Sequence, residues 1–324
     1  MMLVIYGPTA TGKTDLAIKL AKKYNGEIIS VDSRQVYKKL DIGSGKVSFS
    51  SSVEKYKRYW IVDGVKIHGF DLVDPGKRFS AADFVKFAKT TMIQIIEVKK
   101  LPIIVGGTGF YIKALIEGIN TLGIPANLNL RKKLEKLSTA SLYQKLAKVD
   151  PTRAKSMNQS DKNNPRRLIR AIEIAQYQKG KASNVRSDLN TTYKIPDTKY
   201  LLLGLTAPND YLYKRSDQWL GKRLKKGLIE EVQNLVKQGV SYKWLDNLGL
   251  EYRWISRYLL SQVTKEEALT CLKGDIHDFI RRQKTWFNQF KKNKIEIFDI
   301  SLANWQVKLE KKVDSWYTSN YDRR

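Results

Sequence analysis

The sequence predicts an α/β fold, a parallel sheet flanked by helices, with a helical subdomain inserted into it. Three observations predict it. Short apolar runs end in glycine or aspartate, helical patterns fill the intervals between them, and a basic helical stretch broken by prolines occupies the middle of the chain. At 324 residues and 42% apolar content, the chain can bury a sizeable core as one large domain or one domain with an insertion. Disordered and fibrous classes are excluded.

Each element follows from its own residues. Leu3 to Tyr6 is an apolar run ending at Gly7, and the helical pattern Leu16, Ala17, Leu20, Ala21 comes after it, so the chain opens strand, loop, helix. Glu27 to Val31 (EIISV) reads as the next strand. It ends at Asp32 and Ser33, where a parallel sheet places its ligand groups. Ser80 to Glu97 begins on an N-cap serine and carries Phe84, Phe87, Ala88 and Ile95 at helical spacing, which predicts a helix covering one sheet face. Leu101 to Val105 (LPIIV), stopping at Gly106 and Gly107, is another strand, and a helix from Gly109 to Glu117 follows. From about Leu128 to Lys179 the pattern is helical, broken at Pro151 and Pro165, and the Ser-, Thr- and Asn-rich stretch 180–196 reads as a return linker. Tyr200 to Leu205 (YLLLGL) is a buried strand despite Gly204, and Ile295 to Phe298 an edge strand. The expected organisation is a catalytic core over 1–120 and 200–300, an inserted basic helical subdomain over 121–199, and a C-terminal tail over 301–324.

Charge narrows the function. Lys and Arg number 59 against 32 Asp and Glu, a formal net charge of +27, more than solubility needs, so the leading partner is a polyanion and nucleic acid the first candidate. The excess is steepest over 121–200, with 17 basic and 6 acidic side chains. Any one lysine run, such as Arg131 to Lys136 (RKKLEK), reads equally well as a solvated helix face. The lone cysteine, Cys271, excludes an internal disulfide and a cysteine-rich zinc site. Oxygen ligands are therefore expected for any metal. No apolar run reaches the roughly 18 residues of a membrane span, and no signal-peptide pattern opens the chain, so a cytoplasmic protein is expected.

Gly7, Pro8, Thr9, Ala10, Thr11, Gly12, Lys13 and Thr14 (GPTATGKT) match G-x-x-x-x-G-K-[ST] between a predicted strand and a predicted helix, the context that motif requires. Backbone N–H groups converge there on phosphate oxygens with a helix dipole behind them. Lys13 reaches the outer phosphate, and the Thr14 hydroxyl is available to Mg²⁺. The loop specifies a pyrophosphate-bearing ligand, which a nucleotide kinase, a GTPase and a prenyl diphosphate user all satisfy. Asp32, 18 residues after Thr14, stands at a strand end on the substrate side, either as a catalytic base or as an acid that helps hold Mg²⁺ through water.

The run GPTATGKT, SVDSRQVYKKLDIGSGK, DLVDP with FSAADF, then LPIIVGGTGFYIKALIEG, resembles the tRNA dimethylallyltransferases, also called tRNA isopentenyltransferases. NNPRRLIRAIEI (Asn163 to Ile174), GLIEEV, GLEYR and RRQKTWF (Arg281 to Phe287) extend the resemblance to roughly residues 3 to 298. It implies a P-loop NTPase-like fold and transfer of a dimethylallyl group from dimethylallyl diphosphate to N6 of the adenosine immediately 3′ of the anticodon, in tRNAs reading codons that begin with U, assisted by Mg²⁺. In that mechanism Asp32 accepts the proton of the attacking amine. Thr9, Lys13 and the rest of the loop stabilise the departing diphosphate. Asp32, Ser33, Arg34 and Gln35 are implied to contact the tRNA around its target base, and Thr108 lines the other side of the channel, caps the following helix, or does both. Arg166, Arg167, Leu168, Ile169 and Arg170 correspond to an arginine-bearing tRNA contact helix. Trp286 and Phe287 beside Arg281 and Arg282 also match a nucleic-acid stacking platform, but core packing of Trp286, with Arg281 and Arg282 facing the polyanion, is the favoured reading. A monomer meeting one tRNA anticodon stem-loop is the simplest model.

The sequence departs from the family in the helix before GLIEEV, where two arginines one turn apart are usual. Here Trp219 takes the second place in RSDQWLGKR. Arg215, Trp219 and Arg223 lie on one helical stripe, so Arg223 is expected to supply the missing charge to the diphosphate. His68 stands where a histidine pair is common, with Ile67 beside it, and is expected to be a satisfied, partly buried side chain. No zinc-finger extension follows Ile300, so the compact bacterial-type form is the closer likeness. Two alternatives stay open: a small-molecule P-loop kinase, which gives the basic insertion no role, and an adenylate isopentenyltransferase acting on free nucleotides, which needs no extended basic surface.

Overall fold

A computed structural model describes residues 1–48, 50–180, 198–292 and 295–321. The chain divides into two compact units, Met1–Lys113 with Pro196–Arg324, and Ala114–Ile195. The first is built on an eight-stranded sheet of order β3-β4-β5-β2-β6-β1-β7-β8. Its strands are β1 (Met2–Tyr6), β2 (Gly26–Val31), β3 (Val53–Lys55), β4 (Tyr59–Val62), β5 (Val65–His68), β6 (Leu101–Gly106), β7 (Tyr200–Thr206) and β8 (Glu296–Asp299). From β5 to β8 the neighbours are parallel. The central strands are buried on both faces and, apart from Glu27 and Ser30 of β2, almost wholly apolar, as burial between two helical layers requires. Because they run the same way, Gly7, Asp32 and Gly107 emerge from one edge of the sheet, the edge where such folds bind ligands.

Helix α1 (Lys13–Lys23) follows the first strand, and α2 (Ala81–Glu97) starts on a Ser80–Asp83 capping box. Next come α3 (Gly109–Ile116) and, in the second unit, α4 (Leu128–Leu134), α5 (Thr139–Val149), α6 (Pro151–Ser156), α7 (Gln159–Lys162) and α8 (Pro165–Gly180). The two prolines expected to break the helical stretch each open a helix, where the missing N–H has no partner to lose. This unit has its own core of Leu134, Leu142, Leu146, Leu168 and Ile172. The stretch expected as the return linker lies, beyond Gly180 at the end of α8, outside the described residues. After β7 come α9 (Asn209–Lys225), α10 (Leu228–Lys237), α11 (Tyr242–Leu248), α12 (Leu250–Leu259), α13 (Lys265–Phe287) and, past β8, α14 (Trp305–Tyr321).

Three features differ from the sequence reading or refine it. The segment from Val53 to His68 forms an antiparallel meander on the sheet edge, turning at Asp63-Gly64 with φ of 49° and 79°, the two-residue hairpin signal. The segment over 301–324, expected as a tail, carries α14, which buries Leu309 and Val313 in the main core and pairs Glu310 and Asp314 with Lys19 and Lys23 of α1. Arg131, in the run left even between a solvated face and a polyanion surface, donates to the buried Glu173 at 2.7 Å. His68 is satisfied and half-buried, its Nε2 2.7 Å from Glu27. Burial pushes the Glu27 carboxyl up, but the His68 and Lys100 hydrogen bonds and the Lys66 charge outweigh that and hold it at about 2.

Candidate active site

The phosphate loop leaves β1 at Gly7, whose place admits no side chain, since a Cβ there would lie 2.5 Å from the Leu205 carbonyl oxygen. Gly12, at φ 76°, supplies the left-handed N-cap of α1. Lys13 Nζ donates to Pro8 O at 2.7 Å and to Thr11 Oγ1 at 3.2 Å. Desolvation lowers its pKa from 10.5 to about 8, partly opposed by the charge of Asp32. The lysine is thus poised for an anion that would restore its full charge.

Thr9, Gly12, Lys13, Thr14, Asp32 and Gln35 line one pocket together with Arg215, Trp219, Arg223 and Glu251. Asp32 begins a turn: its Oδ1 accepts the N–H groups of Arg34 at 2.8 Å and Gln35 at 3.3 Å, which fixes the carboxylate at the end of β2. The Thr108 hydroxyl accepts the Ser33 N–H at 3.1 Å and ties the loop after β6 to the loop after β2, while its carbonyl accepts the Tyr111 and Ile112 N–H groups at the start of α3. Gln35 spends its amide inside the protein, accepting from Ser30 Oγ at 2.6 Å and donating to Gly45 O at 3.0 Å.

From α9, Arg215 Nε donates to Ala10 O at 2.8 Å, and Arg223 Nη1 donates to Gly43 O at 3.2 Å and Glu251 Oε1 at 2.8 Å. Arg215, Trp219 and Arg223 line the pocket that the phosphate loop also lines, but of the two arginines it is Arg215 that bonds to that loop, and the Arg223 guanidinium lies 5.8 Å over the Trp219 ring with its hydrogen bonds on Gly43 and Glu251.

Several residues that hold the site were not singled out from sequence. Gln283, buried in α13, accepts the Thr9 N–H at 2.9 Å and donates to Gly107 O at 3.0 Å, strapping the phosphate loop to the β6 loop. A polar residue at a helix position in register with buried Ile276, Ile280 and Phe287 was the available signal. Glu231 accepts the N–H groups of Asp41, Ile42 and Gly43 and the Tyr252 hydroxyl, anchoring the glycine loop from α10. Lys46 is fully buried and bridges Asp41 and Asp71. Glu251 sits in plain view within GLEYR, but only folding reveals its partners.

Among the residues expected to contact RNA, Arg166 and Arg167 are exposed on α8, whereas Arg170 donates to Thr121 O at 2.9 Å and Ile124 O at 2.8 Å. Leu168 and Ile169 are corrected: both side chains are buried in the core of the helical unit and cannot present themselves to a ligand. Arg282 is exposed on α13, and Trp286 packs under Gly109, where a Cβ would lie 2.1 Å from its ring.

A phosphate loop at the carboxyl edge of a parallel sheet, with a fixed carboxylate at the next strand end and two arginines opposite, defines a P-loop-type transferase. The chain belongs to the IPP transferase family, whose model matches residues 35–290. It is 34% identical over 292 residues to tRNA dimethylallyltransferase 1 of Geotalea uraniireducens, covering 90% of this chain and 89% of that protein. It is 38% identical over 295 residues to the tRNA dimethylallyltransferase of Pelotomaculum thermopropionicum, covering 90% and 88%. The full-length tRNA isopentenylpyrophosphate transferase of Bacillus halodurans superposes with a TM-score of 0.68 at 32% identity, over 100% of this chain and 99% of that one. A eukaryotic dimethylallyltransferase shares the fold, with a TM-score of 0.75 at 23% identity over 100% of this chain and 80% of that one.

Proposed function

We propose that this transferase moves the dimethylallyl group from dimethylallyl diphosphate to N6 of the adenosine immediately 3′ of the anticodon, in tRNAs reading codons that begin with U. The observation that carries the reading is the shared pocket: the Asp32 carboxylate, pinned by two backbone N–H groups, lines the same cavity as the phosphate loop. A free nucleotide or a small-molecule phosphoryl acceptor would leave the basic helical unit without a partner. Exposed Arg166, Arg167 and Arg282 supply cations for the anticodon stem-loop backbone. Cytoplasmic placement accords with such a substrate, and among the described residues no helix is long and apolar enough to cross a membrane.

In this reading Asp32 takes one N6 proton as the nitrogen attacks C1 of the allyl group. The C1–O bond breaks with its electron pair leaving on the diphosphate, and Lys13, the loop N–H groups, Arg215 and Arg223 neutralise the charge that develops there. Thr9 is pre-aligned by Gln283 through its N–H. Adenine N6 is a poor nucleophile, so alignment against C1 supplies much of the acceleration. The target base leaves its stack more readily in a single-stranded anticodon loop than in a duplex.

The donors in the pocket are hard oxygens, the Thr14 hydroxyl and the Asp15 and Asp32 carboxylates. Among the described residues no group of three or more His, Cys, Asp or Glu could hold a metal by itself. That donor set fits Mg²⁺, which takes much of its coordination from phosphate and water. Thr14, with Asp32 through water, would hold the ion, and bound Mg²⁺ supplies charge neutralisation on the diphosphate.

The test is incubation with Mg²⁺, dimethylallyl diphosphate and unmodified tRNA, followed by digestion and mass spectrometry, with AMP in parallel. N6-(dimethylallyl)adenosine appears in the tRNA alone. Product on AMP alone would move the assignment to free nucleotides, and ATP turnover without prenyl transfer would replace it with a kinase.

A further inference from the structure

Glu251 is an anion inside a pocket that takes an anion. It lies in the first turn of α12, its side chain is 5% exposed, and it lines the pocket with the phosphate loop. Its two oxygens are divided between two cations: Oε1 accepts from Arg223 Nη1 at 2.8 Å and Oε2 from Arg34 Nη1 at 3.4 Å. Arg34 belongs to the turn that begins at Asp32, and Arg223 to α9. Glu251 therefore links the proton-accepting side to the diphosphate side through side chains.

Arg223 runs over the glycine loop, its Nη2 2.2 Å from where a Cβ of Gly45 would be, so a side chain there would displace the guanidinium. Among the described residues its Nε is a buried donor with no hydrogen-bond partner, a group that a phosphate oxygen would satisfy. Two guanidiniums and one carboxylate leave a single net positive charge. At such low exposure the carboxylate is poorly screened by water, so it repels an incoming diphosphate as surely as it orients the arginines.

We propose that Glu251 is a positioning residue with a second, charge-balancing role: it ties Arg34 of the Asp32 turn to Arg223, aligns Arg223 on the reaction pocket and weakens the hold on diphosphate so that the leaving group departs. This rests on the reading that the pocket binds the diphosphate of the prenyl donor. It predicts a split that a residue acting only through packing would not produce. Removing the charge tightens diphosphate binding while slowing turnover.

The experiment measures the Kd of Mg²⁺-pyrophosphate by calorimetry, and kcat and KM for dimethylallyl transfer to tRNA, in the parent protein, Glu251→Gln and Glu251→Asp. Glu251→Gln is expected to bind pyrophosphate about tenfold tighter, with a lower KM for dimethylallyl diphosphate and a lower kcat. Glu251→Asp keeps the charge but cannot reach both guanidiniums, so its pyrophosphate affinity stays within about twofold of the parent while kcat falls. Unchanged or weaker pyrophosphate binding in Glu251→Gln overturns the charge-balancing role, and parental kcat in Glu251→Asp overturns the alignment role, which keeps the proposal open to refutation even if the glutamine variant folds poorly. A parent protein that does not bind pyrophosphate at all overturns the diphosphate reading itself, and this proposal with it.

Discussion

Asp32 and Lys13 occupy the same pocket but owe their properties to different surroundings. Asp32 is held by the N–H groups of Arg34 and Gln35, so Asp32→Asn keeps the turn and removes the base. Turnover should fall about a thousandfold, while tRNA affinity, measured by filter binding, stays at the parental value. Retained turnover would remove Asp32 from the base role. Lys13, with its pKa lowered from 10.5 to about 8 by desolvation, holds fewer protons in the folded protein than in the unfolded chain between those pH values. Its desolvation therefore costs stability below about pH 8, and that cost fades as pH rises toward 10.5. Ligand binding has the opposite trend: a bound diphosphate restores the ammonium, so affinity declines as pH rises through about 8. Calorimetric titration of dimethylallyl diphosphate across that range should show the decline in the parent and not in Lys13→Ala.

At the scale of elements, the site depends on strand ends being held in register. Gly106 closes β6 beside Val31, and a Cβ there would lie 2.1 Å from the Val31 carbonyl oxygen, a backbone atom that cannot swing aside. Gly106→Ala should lose about 3 kcal/mol in urea unfolding and shift Asp32 relative to the phosphate loop, lowering kcat more than the stability change alone. Glu231 acts from α10 on a loop nearly two hundred residues earlier. Glu231→Ala removes the acceptor of three backbone N–H groups and the Tyr252 hydroxyl, and should cost about 3 kcal/mol and raise KM for dimethylallyl diphosphate. Strands β1, β2 and β6 were legible because their apolar runs stop at glycine or aspartate, and β7 because its leucines form an apolar run even across Gly204. The meander was not read from the sequence: its strands are three or four residues long and two of them carry charge among their apolar residues, which left the Asp63-Gly64 turn as the available signal.

For the whole molecule, a net charge of +27 makes polyanion binding a salt-dependent event. Affinity for tRNA should fall steeply and log-linearly with salt, and replacing Arg166 and Arg167 together by alanine should reduce that slope by about 1.5 if each neutralises one phosphate. An unchanged slope would show that this helix face does not meet the backbone. The parallel sheet, the phosphate loop, Asp32 and the basic character of the middle of the chain are properties of local pattern: apolar periodicity, glycine placement and residue spacing survive in a linear string. The ties of Glu251 to Arg34 and Arg223, of Gln283 to Thr9, and of Glu231 to the glycine loop join residues 28 to 274 positions apart. The docking of α14 on α1 joins residues 291 positions apart. No linear pattern encodes which buried acid or amide will meet which backbone group, because that pairing is set only when the strands stack and their helices close over them.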